Sequence, residues 1–148
     1  MSSSPYTGHA PSGSVELDSR IIPFFENFYR VSDSQTADDE YVDALTKEGT
    51  LIMGTKKAVG KDEIMTLRKG LWSGPVKKRQ HHLHRIYPFT SQDVMIHGSV
   101  DYELHNGQDV TVQWAGHAQF VESEDGKLRM RFYQVYLDSA PVAQAAAK

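Results

Sequence analysis

The chain has 148 residues, 39% hydrophobic and 24% charged, with a formal net charge of −3. That length suits one globular domain able to bury its own core, and the mildly acidic balance offers no global pull on nucleic acid or an anionic membrane surface. No cysteine is present, which excludes disulfides, thiolate metal centres and cysteine nucleophiles.

The opening stretch, MSSSPYTGHAPSGS, has neither a basic start nor an apolar run. Residues 1–14 are therefore expected to be a disordered tail rather than a secretory signal, and the expected location is the cytoplasm. Residues 15–32 carry Leu17, Ile21, Phe24, Phe25, Phe28 and Val31 at helical spacing. Pro23 either opens a helical segment in its first turn or kinks a longer one. After the break VSDSQT, Asp38, Asp39 and Glu40 open a second helix running to about Lys47, because early acids favour the positive helix end. Residues 50–54, TLIMG, suit a strand. Residues 60–70 predict a third helix with Ile64, Leu67 and Leu71 as its stripe, closed by the turn WSGP.

The second half alternates with period two. Residues 78–87, 94–105, 110–122 and 128–137 read as four strands, joined by turn signals that include Asn106-Gly107 and Glu124-Asp125-Gly126. From residue 139 the chain ends in a small-residue tail, so the domain spans 15–138. Helices first and long strands later indicate an α+β domain. Three helices over one face of a coiled antiparallel meander make a cone with an apolar mouth, a common place for a small-molecule pocket.

Alternation sorts the side chains. Val94, Ile96, Gly98, Val100, Tyr102 and Leu104 face the core, as do Val110, Val112, Trp114, Gly116, Ala118 and Phe120. In the last strand Leu128, Met130, Phe132, Gln134 and Tyr136 form the inner set, although its second half is apolar on both faces. An apolar outer face needs a cover. In the stretch KKRQHHLHRIYPF, His81 faces in with Leu83 and Arg85, while His82 and His84 face out, with His97 nearby across the hairpin. The outward histidines are read as a solvated or interface strand in preference to a zinc site. The run Lys77, Lys78 and Arg79 reads as a solvated strand edge.

The order αα-β-α-ββββ resembles the nuclear-transport-factor-2-like fold, and within it the SnoaL-like group. The stretches VGKDEI (59–64), YPF (87–89), VTVQWA (110–115) and FYQVY (132–136) resemble small fungal SnoaL-like proteins. The resemblance implies the fold over residues 15–138 and frequent sheet-to-sheet homodimers. Its members include cyclases, dehydratases, isomerases, epoxide hydrolases and binding modules, so it does not choose an activity.

His81 is the leading chemical candidate, since an inward imidazole can take or give a proton near neutral pH. Arg79-Gln80-His81 resembles a stretch of scytalone dehydratase, a distant relative with a catalytic histidine on this strand, and Asp33 stands at the end of the first helix where that enzyme has a functional aspartate. A carboxylate there would orient the imidazole. The alternatives are a hydrogen-bonded core histidine and, for Asp33, an ordinary turn or cap in Ser32-Asp33-Ser34. The dehydratase's hydrogen-bonding serine and asparagine align with Ala118 and Phe120, so its own reaction is not expected.

Arg85 inside the cone would suit an anionic or enolate ligand, unless a β-bulge turns it outward. Phe28, Leu83, Tyr102, Trp114, Phe120 and Gln134 are expected to complete the pocket. Phosphate loops, Rossmann glycines, HExxH and GxSxG are missing. The expectation is a small-molecule enzyme doing cofactor-free acid–base chemistry, a dehydration, isomerisation or cyclisation, on a hydrophobic oxygenated metabolite. The alternative is a non-catalytic binding or dimerisation module. No metal or cofactor is expected. The expected partners are a hydrophobic small molecule and a second copy across the outer sheet face, with no nucleic acid or membrane.

Overall fold

The computed structural model describes residues 5–6 and 9–148; the rest of the expected N-terminal tail lies outside the described residues. Helix α1 spans Ile21–Ser32, α2 Asp38–Asp43 and α3 Lys61–Gly70. The strands are β1 Leu45–Met53, β2 Lys56–Val59, β3 Val76–Thr90, β4 Asp93–Leu104, β5 Asp109–Glu122 and β6 Leu128–Leu137, followed by helix α4, Ala140–Ala146. All six strands form one curved sheet in the order β2-β1-β6-β5-β4-β3. The α+β class and the meander from β3 to β6 are as the sequence predicts.

Pro23 sits in the first turn of α1, where its missing N–H is not needed. Residues 15–20 are not helical; Asp18 instead accepts hydrogen bonds from the Ile21 and Arg20 backbone N–H groups at 3.0 Å each. The second helix is shorter than expected. It stops at Asp43, and Leu45 already pairs with Met130 in a parallel ladder between β1 and β6. Burying Leu45 completely against that strand outweighs the helical continuation to Lys47. Strand β2 was not expected. Gly54, at φ +62, allows a two-residue turn that brings Lys56 opposite Met53. The closing residues, read as a tail, carry α4, whose Ala145 packs with Val76 and Leu104.

The expected inner faces of β4 and β5 are correct: Val94, Ile96, Val100, Leu104, Val112, Trp114, Ala118 and Phe120 are all buried. Strand β6 departs from simple alternation. Phe120 pairs with Met130 and Gln119 with Phe132, so Arg131 is an extra residue in a β-bulge. Beyond it the faces exchange. Tyr133 and Val135 turn into the core, while Phe132 rests against His117 on the outer face.

Strand β3 forms one edge of the sheet and is bulged too. Lys77, His84 and Phe89 fall outside its pairing with β4. The bulge at His84 puts His81 opposite Val100 and Leu83 opposite Gly98, but Arg85 opposite outward-facing His97.

Candidate functional site

Two independent pieces of chain meet at His81. The first is the end of α1. Asp33 is its C-cap and donates its backbone N–H to the Tyr29 carbonyl at 3.0 Å. The second is β3, which carries His81 on its inner side. The Asp33 carboxylate accepts twice from this residue: from the His81 backbone N–H at 2.9 Å and at its ring Nδ1 at 2.5 Å. The two side chains are only 15% and 13% exposed. A carboxylate facing Nδ1 holds the proton there and leaves Nε2 as the basic, unprotonated nitrogen of the neutral ring. Asp33 is therefore both the cap that its Ser-Asp-Ser context suggests and the partner of the histidine.

Aromatic rings fix the imidazole. The Tyr29 ring centroid lies 5.0 Å from that of His81 and the Trp114 centroid 5.7 Å away. Trp114 is itself anchored by Nε1, which donates to the Ser99 carbonyl at 2.9 Å. The Tyr29 and Tyr133 hydroxyls share a buried hydrogen bond of 2.8 Å. Burial pushes both phenols well above their ordinary range, so they stay neutral at any working pH.

The loop that carries Asp33 is held from α3. Arg68, completely buried, donates to the Ser32 carbonyl at 2.8 Å, to the Val31 carbonyl at 3.3 Å and to the Ser34 carbonyl, and pairs with Asp38 at 3.0 Å. Its guanidinium stacks on the Tyr41 ring at 4.7 Å. Helix α1 thus ends with its last carbonyls satisfied by a side chain far along the sequence.

His81 borders two spaces. Outside is a groove of about 880 Å³ between α1 and β3, lined by Leu17, Ile22, Phe25, Tyr29, Leu83 and Ile86, with Asp33 in its wall. Inside is a smaller cavity of about 100 Å³, bounded by Arg79, Tyr102, Trp114 and Tyr133. The groove falls within the roughly 300–1,000 Å³ typical of small-molecule sites.

The predicted pocket residues divide accordingly. Leu83 lines the groove, and Tyr102 and Trp114 line the inner cavity. Arg85 is exposed at the groove's rim rather than inside the cone, because of the bulge at His84. Gln134 lies on the outer face, because of the bulge at Arg131. Phe28 and Phe120 are core: Phe24 and Phe25 close on Phe120 at 5.0 and 5.5 Å, and Phe28 packs on Tyr133 at 5.4 Å.

The outward histidines have separate partners. His82 bonds Asp101 at 2.9 Å and His84 bonds Ser99 at 3.2 Å. Among the described residues no group of three metal-ligating side chains converges. Arg79, read with Lys77 and Lys78 as a solvated strand edge, instead turns inward to the inner cavity. It stands two residues before His81, opposite Tyr102, so strand alternation alone would have placed it inside. Tyr29, Tyr133 and Arg68 were also missed.

No family model and no curated protein matches this chain. Solved structures do. A protein from Jannaschia described as a SnoaL-like polyketide cyclase superposes with a TM-score of 0.70 at 12% identity, covering 95% of this chain and 98% of its own. Nuclear transport factor 2 from Cryptosporidium parvum gives 0.64 at 15% identity, over 84% of this chain and 100% of its own. The fold is the nuclear-transport-factor-2-like cone. A protein from Novosphingobium aromaticivorans described as a scytalone dehydratase shares it too, at a TM-score of 0.68 and 11% identity, over 80% of this chain and 81% of its own. Identities this low speak for the fold and not for an activity.

Proposed function

We propose that this cone is a cofactor-free acid–base enzyme acting on a hydrophobic, oxygenated small molecule, with His81 as the proton acceptor and donor and Asp33 as its orienting partner. The observation that carries this reading is the hydrogen-bonded pair itself. A nearly buried imidazole has one nitrogen committed to a carboxylate and its ring exposed to a groove of ligand size. The neutral ring abstracts a proton from carbon or hydroxyl through Nε2, and the Asp33 charge stabilises the imidazolium that forms. Returned elsewhere on the substrate, that proton completes an isomerisation; delivered to a leaving hydroxyl, it completes a dehydration; closing a ring after the abstraction gives a cyclisation. The solved structures that share the cone include proteins described as a polyketide cyclase and a scytalone dehydratase, and the reading is consistent with those descriptions.

The assay need not know the substrate. Enolisable cyclic ketones and β-hydroxyketones incubated with the protein in D₂O should exchange protons for deuterons by NMR. Exchange should fall at least about 100-fold in His81→Gln and substantially in Asp33→Asn. Ketones that bind the groove with no exchange above the His81→Gln background would instead favour a binding module. In the same reading the protein works in the cytoplasm as a homodimer. The outer sheet face supports the dimer, with Met95 40% and Tyr136 48% exposed on it; sedimentation at micromolar concentration tests it. Among the described residues no helix is long and apolar enough to cross a membrane.

A further inference from the structure

Arg79 is only partly satisfied where it stands. It comes from a basic run whose other members, Lys77 and Lys78, are exposed. Regular alternation from His81 and the pairing with Tyr102 turn its side chain inward. Its guanidinium lies over the Trp72 ring at 4.2 Å, and one terminal nitrogen donates to the Leu71 carbonyl at 2.5 Å. Its Nε is buried without an acceptor, and among the described residues no carboxylate pairs with it. The contrast with Arg68 is instructive. That arginine is deeper, completely buried where Arg79 is partly exposed, and it meets three carbonyls and a carboxylate. Burial pulls the Arg79 guanidinium below its ordinary value, and the Arg68 charge adds to this. An arginine nevertheless keeps its proton, so the inner cavity has a cationic wall.

We propose that Arg79 is the oxyanion-binding residue of this site, and that the substrate is a carbonyl compound whose oxygen enters the inner cavity between Arg79 and the Tyr102 hydroxyl. Arg79 and His81 are two residues apart on one face of β3, about 6.6 Å along the strand. That separation fits one acyl unit, with the carbonyl oxygen at Arg79 and the neighbouring carbon at His81. The step balances. His81 Nε2 takes the proton from carbon, the C–H electron pair forms the carbon–carbon double bond, and the carbonyl π pair moves onto oxygen as an enolate. The guanidinium fork and the phenol meet that charge where it develops, in a cavity of about 100 Å³ walled by Trp114 and Tyr133. The aromatic walls and small volume favour a flat conjugated ketone over a bulky aliphatic one.

This inference rests on the acid–base reading for the role of His81, but its test involves no turnover. The probes are 4-nitrophenolate, a planar anionic oxygen, and its neutral methyl ether, 4-nitroanisole, titrated into the full chain and followed by absorbance and tryptophan fluorescence. The phenolate should bind at least tenfold more tightly than the ether, with its visible band shifted on binding. Arg79→Met should abolish the preference, Arg79→Lys should retain part of it, and His81→Gln should keep it. Equal affinity for the two probes, no binding of the phenolate, or a preference that survives in a folded Arg79→Met variant would overturn the assignment. The preference in the unaltered protein needs no variant to fold. Loss of proton exchange in the ketone assay alongside an intact phenolate preference would reject the catalytic reading and leave the anion site standing.

Discussion

Replacing Arg68 by methionine tests what holds the site together. Its side chain is completely buried, and it donates to the Val31, Ser32 and Ser34 carbonyls while pairing with Asp38. Methionine fills similar volume but donates nothing. Asp38 is 27% exposed and recovers some hydration, whereas the Ser32 carbonyl, in a buried hydrogen bond, loses its donor. Removing one partner of a buried charge pair costs about 3–5 kcal/mol, and for a chain of this size each kcal/mol lowers Tm by about 2–4 °C. The expected fall is about 6–20 °C by circular dichroism. Arg68→Lys should lie between, because an ammonium cannot reach the same carbonyls with a planar fork. The loop that loosens also carries Asp33, so the His81 imidazole signals in ¹⁵N spectra should broaden or shift even below the transition. A Tm within about 2 °C of the parent, with unchanged imidazole signals, would refute both the energetic and the positioning argument.

Four other outcomes follow from single contacts. Gly98→Ala adds a methyl that overlaps the His82 carbonyl and approaches Trp114 Cζ2 at 3.0 Å; overpacking of about 1–3 kcal/mol should lower Tm by about 2–12 °C, and a parent-like melt would show that β3 yields freely. Tyr29→Phe and Tyr133→Phe should each cost about 1 kcal/mol in urea unfolding, with the double variant costing less than their sum because both remove one 2.8 Å bond; strict additivity would contradict the pair. At Asp93, burial works upward, but the hydrogen bonds from Gln119 and His117 win and leave its carboxyl below the usual range. Its contribution is present above the unfolded value of about 3.9 and is lost as pH falls through the lower folded value; the urea midpoints of Asp93→Asn and parent should converge as pH falls below about 4, and a constant gap would count against it. Asp33→Asn should release the Nδ1 proton of His81, seen as a changed tautomer pattern in imaging of the ring's ¹⁵N–¹H couplings; an identical pattern would mean that the ring does not depend on the carboxylate.

What the sequence made legible follows the physics of each element. β4 and β5 alternate without interruption, and each inner residue was identified because one face is buried and the other is not. Asn106-Gly107 located its hairpin for the same local reason. The errors come where pairing overrides pattern. Arg131 looks like any outward residue of β6, yet as a bulge it sends Gln134 out and Tyr133 in. His84 does the same to Arg85. A bulge is set by the partner strand's register, which no local stretch encodes. The dyad was half legible. His81 follows from alternation, whereas Asp33 came only from the resemblance to scytalone dehydratase beside its reading as a turn or cap, and their contact spans 48 residues. Arg68 was hidden for another reason: on a helix rich in charge, a basic residue in the last turn reads as solvated until its buried carbonyl partners are known.

The geometry around His81 depends on two anchors that share no residue. Arg68 fixes the Asp33 loop by gathering the end of α1 onto α3. Gly98 fixes the height of His81 by letting β3 approach β4 and Trp114 more closely than any side chain would permit. A chain that needed only a filled core would not require the second. Both anchors act on one hydrogen bond of 2.5 Å, and while regular alternation from His81 turns Arg79 inward, the bulge at His84 turns Arg85 outward. The edge strand therefore places one base and one cation inside while keeping the second cation in solvent. That selection is what the proposed acid–base site requires, because a core histidine needs the hydrogen bond and has no use for an arginine without a carboxylate partner two residues away.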